Sequence, residues 1–190
     1  MECSPGITRE EALDLLRRNV KNESMIKHCH ASEAVMVALA KRLGEDEKTW
    51  GLAGLLHDID IEITGADLSE HGLKAVEILD AAGVSKEISL AIKMHNESAH
   101  GIPRSERFHH ALAAGESITG LITATTLVYP DKKLASVKPS SVVKRMKEKS
   151  FAASVDREII RECEKIDVPL PEFAALAIEA MREIAPELGL

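Results

Sequence analysis

The stretch Gly51-Leu52-Ala53-Gly54-Leu55-Leu56-His57-Asp58-Ile59-Asp60 decides how this chain of 190 residues is read. It sets an imidazole beside a carboxylate, with apolar residues on both flanks. An ionised Asp in such surroundings is costly to bury unless it is paired. A divalent metal offsets that cost and uses both groups as ligands. An Asp that caps a neighbouring helix and a His that fills a packing gap account better for the dipeptide in isolation, since such pairs arise often by chance. The surrounding sequence has to choose between the two.

On the N-terminal side, Asp46 is a plausible N-cap for a helix that carries Trp50, Ala53 and Leu56 and ends near His57. Gly44 closes an earlier helix, from about Ser24 to Leu43, with Val35, Met36, Leu39 and Leu43 on one face. Helices joined by so tight a turn pack antiparallel. His28, toward the start of the first, then meets His57 at the end of the second. Two imidazoles and one carboxylate form a set suited to iron, manganese or zinc with positions left for water. His30 is two residues from His28, roughly 200° around the helix, and points away. It and Cys29 are read as packing or surface groups. Upstream, Thr8 with Glu11 spells a capping box for a short helix through Leu15 and Leu16.

On the C-terminal side a loop runs from Ile59 to about Asp67. A helix with Leu73, Val76 and Leu79 stops at Gly83. Ser85 caps the next, which places Ile88, Ala91, Ile92 and His95 on one stripe. A loop from Gly101 to Arg107 leads into a long helix from about Glu106 to Val128, broken at Tyr129-Pro130-Asp131. Shorter helices follow at about Ser141 to Lys149, Asp156 to Lys165 and Pro171 to Ala185. Strand-like alternation is nearly absent and aromatics make up only 3% of the residues, so the fold class is all-α. The chain reads as one helical domain over 1–190, with a metal-site core at about 21–128 and a helical extension at 139–190. The weakest seam lies near Pro139.

Bulk composition narrows the function classes. A hydrophobic fraction of 45% supplies a real core, and a net charge of -7 disfavours a non-specific grip on nucleic acid or an anionic membrane. No apolar run approaches a membrane span; Ile118 to Tyr129 is too short and too rich in Thr. Met1 to Arg9 lacks a basic segment followed by an apolar one, so no secretory signal is expected there. Cys3, Cys29 and Cys163 are odd in number and scattered, which fits a reducing cytoplasm. Scattered apolar residues in the last helix, such as Phe173 and Leu176, are read as surface groups that would permit a homodimer.

With His28, the stretch Gly51 to Asp60 and the later histidines, the sequence resembles the HD-domain superfamily of metal-dependent phosphohydrolases, over roughly Lys21 to Val128. The resemblance implies a helical bundle holding one or two divalent transition metals per chain: iron, manganese or zinc, with magnesium also admitted. It assigns His28 as the first ligand and His57 with Asp58 as the central pair, Asp58 bridging two metals and carrying catalysis. His71 and His95 match the two additional histidines. Taken alone, His71 is a surface residue at a helix start, and His95 sits near a helix C-terminus, where an imidazolium is favoured by the dipole. The closing acid departs from the pattern: Glu116 stands where Asp is expected. One methylene longer, it can ligate, shift the metal, or reach it through water.

Asp60 and Glu62 alternate with Asp58. They accept hydrogen bonds from a ligand imidazole or a metal-bound water, or form a solvated acidic loop. His100, His109 and His110 are read as surface or pocket-rim residues. Arg104 and Lys93 are the candidate phosphate contacts. The run Lys144, Arg145, Lys147 and Lys149 reads better as a solvated helix face. The expected activity is hydrolysis of a phosphate ester or anhydride through a metal-activated water, with a small phosphorylated substrate and, by resemblance, a nucleotide. Two rival readings use the same ligands: a two-iron oxygenase of the HD type, and a non-catalytic metal- or nucleotide-binding module in which Glu116 marks a decayed site.

Overall fold

The helix signals written locally in the chain reappear as ten α-helices in a computed structural model, which describes residues 4–190. Helix α1 (Arg9–Asn19) opens on the expected capping box: Thr8 accepts from the Glu11 N–H, and the Glu11 carboxylate accepts from the Thr8 N–H. Helix α2 (Glu23–Leu43) starts one residue before the expected Ser24, because Asn22 accepts from the N–H groups of Ser24 and Met25. It ends on Gly44, whose φ of 74° is left-handed, a conformation that only glycine adopts without strain. Asp46 then caps α3 (Glu47–Leu56) through the Thr49 N–H.

α2 and α3 pack against each other at very short range. A Cβ on Gly54 would fall 2.6 Å from the Ser32 carbonyl oxygen, so only glycine admits this approach. The segment after α3 is a succession of turns rather than an extended loop. It leads into α4 (Leu73–Ala81) and α5 (Lys86–His95), the latter capped by Ser85. Helix α6 (Arg107–Leu127) crosses the centre of the bundle and is buried on most of its circumference. Its Leu112 and Ile118 pack with Met36, Leu39, Leu55 and Ile92 in one core. Fully burying each such side chain is worth roughly 1.5–3 kcal/mol.

Past α6 come α7 (Pro139–Arg145), α8 (Arg157–Ile160), α9 (Leu170–Glu183) and α10 (Ala185–Leu188). The helix expected over 156–165 is α8 followed by a 3-10 segment, Arg161–Ile166, which ends on Asp167 with a left-handed φ of 61°. Helix α9 lies on α2 and α7. Its Phe173 is fully buried, with Ala177 and Met181 on the same stripe, and Leu176 is half-buried. The reading of Phe173 as a surface group is therefore corrected, while Leu176 keeps part of its surface exposed. The i, i+4 spacing turns Phe173 into the core, where truncation to Ala costs about 3–5 kcal/mol. Among the described residues the exposed large apolar side chains are Ile63, Leu68, Leu90, Ile102, Leu127 and Val128. No helix among them is long and apolar enough to cross a membrane. Cys29 and Cys163 are buried free thiols, and Cys3 lies outside the described residues.

Candidate metal centre

The end of α3 delivers His57 and Asp58 into the interior, where they are 1% and 7% exposed. The antiparallel α2 brings His28 alongside, with Nε2 to Nε2 of His57 at 3.1 Å. From the other side come His71, in the turns before α4, and His95, the last residue of α5, with Nε2 to Nε2 at 2.9 Å. Asp58 stands between the two pairs. Its Oδ2 lies 3.3 Å from His57 Nε2 and 3.6 Å from His28 Nε2. Its Oδ1 lies 3.3 Å from His71 Nε2 and 3.9 Å from His95 Nε2.

The partners of the far ring nitrogens set the protonation pattern. His57 Nδ1 meets the Gly54 carbonyl at 2.9 Å, His95 Nδ1 meets the Ile92 carbonyl, and His71 Nδ1 meets Asp60 Oδ1 at 2.7 Å. Carbonyls and carboxylates only accept, so each Nδ1 carries the proton. His28 Nδ1 meets the Thr119 hydroxyl at 3.0 Å. That hydroxyl already donates to the Glu116 carbonyl at 2.7 Å, so it accepts from His28. In its neutral form each of the four rings therefore turns an Nε2 lone pair toward Asp58. Two lone pairs 3 Å apart repel unless a cation lies between them. Four anchored imidazoles aimed at one carboxylate form a set that could hold a metal.

The electrostatics point the same way. Burial, reinforced by neighbouring imidazoles, pushes His28 down to about 4 and His95 down to about 3, which keeps them neutral as metal ligands must be. Burial opposes charge on His71 too, but hydrogen bonds to Asp58 and Asp60 outweigh it and raise the ring to about 10. For His57, burial is likewise outweighed by Asp58, and the pKa rises. Asp58 is held well below the usual carboxylate range because the rings around it overcome its burial. The demand for positive charge is thus centred on Asp58, where a divalent metal competes with the proton. Glu116 differs: burial pushes it up to about 7, against the pull of His57 and the Ser117 hydroxyl.

The residues fit a metal. His28, His57 and Asp58 offer ligand atoms that all lie within 4.8 Å of one another, and so do Asp58, His71 and His95. With one triad on each carboxylate oxygen, these residues would hold one or two metals. Nitrogen donors with one carboxylate favour zinc, iron or manganese over magnesium. Glu116 belongs to neither triad. Its Oε2 is 3.9 Å from His28 Nε2, at the edge of the first, and its Oε1 accepts from Ser117.

The family model for the HD domain matches residues 25–125, more than half of the chain. The chain belongs to the HD-domain family. The match runs from the start of α2 nearly to the end of α6, close to the 21–128 span expected from the motifs, and it contains both triads and Glu116. Membership places this HD domain among metal-dependent, hydrolase-like proteins.

The rest of the HD domain shows what supports the ligands. Asp60 is fully buried, and besides His71 it accepts from the N–H groups of Gly72 and Ala75 at 2.8 and 2.9 Å. Glu62 instead accepts from the N–H groups of Lys21 and Asn22, and so ties the turns after α3 to the start of α2. Thr119 went unnoticed in the sequence. The signal for it was its place three residues after Glu116, one turn on along the same helix face. Arg104 does not face the site. Its guanidinium pairs with Glu162 at 2.8 and 3.0 Å and donates to the Met94 and His95 carbonyls. It closes the C-terminus of α5 behind His95, which corrects its reading as a phosphate contact. Lys93 is half-buried and lines none of the cavity at the triads. His109 and His110 are buried rather than on the rim; His110 Nδ1 meets Glu162 at 2.7 Å, and His100 bonds to the Lys93 carbonyl.

A cavity of about 420 Å³ opens onto His28, Asp58, His71, His95 and Glu116. A larger hollow of about 720 Å³ lies beside Arg9, Glu33 and Gly51, and none of the converging imidazoles reaches it.

Proposed function

We propose that this HD domain is a metal-dependent phosphohydrolase that cleaves a phosphate ester or anhydride of a nucleotide by a metal-activated water. The observation that carries the reading is the convergence of four Nδ1-anchored imidazoles on the two oxygens of Asp58. A bound divalent metal lowers the pKa of its water and polarises a phosphoryl oxygen.

The chain's own residues do the remaining work. Asp58 holds the two triads in fixed relation. Asp60 and Thr119 keep His71 and His28 in the tautomer that presents Nε2. The Gly54 and Ile92 carbonyls do the same for His57 and His95. Glu116 faces the cavity beside the first triad and can take up a proton at Oε2. Arg104 stays out of the chemistry and fixes the end of α5.

The test is a metal count on protein purified without chelators, followed by phosphate release from a panel of phosphate esters and anhydrides. One or two metals per chain are expected, with activity lost in Asp58→Ala while the helical circular dichroism survives. Full activity in metal-stripped Asp58→Ala protein would overturn the reading. Dioxygen consumption by the reduced, iron-loaded protein without phosphate release would replace it with a two-iron oxygenase. Tight ligand binding without turnover would replace it with a binding module.

A further inference from the structure

Apart from the imidazoles of the triads, the charged side chains that line the cavity are all acidic. Among the described residues that line it there is no Lys and no Arg, whereas Asp58, Glu116 and Asp156 all do. Two buried basic side chains on segments next to the cavity are committed elsewhere. Arg104 is buried against Glu162 and two carbonyls. Arg157, next to Asp156, is also buried and donates to the carbonyls of Ala152, Val155 and Phe151. Neither can swing toward the cavity without leaving buried acceptors unpaired. Leu68, Val155 and Ile159 add apolar wall, and Ser98 and Ser154 add neutral hydroxyls.

Sites that act on polyphosphates neutralise the phosphates that do not react with Lys, Arg or backbone N–H cradles. Here a metal held by the triads would supply the positive charge, and the phosphoryl group that reacts would use it. A second or third phosphate would meet Glu116 and Asp156 with nothing to balance it. Like charges about 6 Å apart cost between about threefold in bulk water and about a hundredfold at a protein surface, so about tenfold in affinity for each added charge is a middle value.

We infer that the substrate is a phosphomonoester, with a single phosphoryl group on an uncharged or cationic organic part, and that nucleoside di- and triphosphates are excluded by charge. This rests on the phosphohydrolase reading and narrows its substrate class. The apolar wall of Leu68, Val155 and Ile159 takes the organic part, and Asp156 sets the charge preference.

The experiment uses the full chain loaded with metal. Binding by calorimetry and phosphate release are both measured for the mono-, di- and triphosphate of one nucleoside and for phosphoethanolamine. The monophosphate is expected to exceed the diphosphate at least tenfold and the triphosphate about a hundredfold. Asp156 also caps α8 by accepting from the Glu158 N–H. Asp156→Asn keeps that cap and Asp156→Lys does not. Both should shrink the monophosphate-to-triphosphate ratio, with the Lys variant shrinking it more. A triphosphate bound or cleaved as well as the monophosphate overturns the inference, as does a ratio that Asp156→Asn leaves unchanged or a failure of every ligand to bind. If binding keeps the predicted order but no phosphate is released, the phosphohydrolase reading falls and the charge selection stands.

Discussion

Asp60→Asn changes one atom and should disable half of the metal centre. Asp60 is fully buried and accepts three hydrogen bonds: His71 Nδ1–H on Oδ1, and the Gly72 and Ala75 N–H groups on Oδ2. Asparagine has the same shape but one accepting oxygen and an amide that only donates. With its oxygen on His71, its NH₂ would face two buried backbone N–H groups. Each such orphan costs about 1–3 kcal/mol, so about 2–6 kcal/mol together. With its oxygen on the two backbone groups, the NH₂ faces His71 Nδ1 instead. That second arrangement is cheaper. It forces Nδ1 to accept and moves the ring proton to Nε2, the atom 3.3 Å from Asp58 that has to bind metal. Loss of such an orienting partner typically weakens metal binding by about 10–100-fold, or about 1.4–2.7 kcal/mol. Calorimetric metal titration of the apoprotein should show the equivalent assigned to Asp58, His71 and His95 weakened by at least that factor, with the His28 side retained. Urea unfolding should show a loss of about 1.5–3 kcal/mol from the missing charged acceptor. Two metals bound with wild-type affinity in Asp60→Asn would refute the tautomer reasoning.

Thr119→Val keeps the shape of the side chain but removes the acceptor for His28 Nδ1; metal affinity on the His28 side should fall about tenfold or more in a competition titration, and Thr119→Ser should restore it. Gly54→Ala would put a Cβ 2.6 Å from the Ser32 carbonyl oxygen and wedge α2 from α3; a loss of about 1–3 kcal/mol in urea unfolding is expected, and an unchanged midpoint would show that the close approach does not matter. Arg104→Met leaves the buried Glu162 with only His110 and Lys165 as partners and should cost up to about 3–5 kcal/mol by the same assay. Burial raises the pKa of Glu162, but Arg104 and His110 outweigh it and hold the folded value below the ordinary 4.5. The stability this contributes is complete above pH 4.5 and is lost as pH falls through the depressed value, so thermal melts should show Glu162→Gln flattening the acid limb below pH 4.5.

Much of the fold was legible because its signals act over a few residues. Thr8 with Glu11, Gly44, Asp46 and Ser85 each mark a helix end by satisfying backbone groups within one turn. The meeting of His28 with His57 followed from two helices and a short turn. Less could be read where a helix is buried all round. The circumference of α6 is so largely apolar that its periodicity does not say which neighbour each face meets, and the burial of His109 and His110 escaped for that reason. Phe173 was misplaced for the converse reason: a single large apolar residue looks like surface decoration until the helix it packs against is known.

The sequence by itself determined the order of the helices, most of their caps and the residue types gathered at the centre, since these are properties of residue type and local spacing. Only the tertiary structure decided which nitrogen of each ring faces Asp58. That choice is made by acceptors on other segments, such as Thr119, which lies 91 residues from His28. It also decided that Arg104 braces α5 rather than meeting phosphate, because the carboxylate that claims it, Glu162, lies 58 residues further along the chain. A buried cation goes to the nearest buried anion, and packing sets which anion that is.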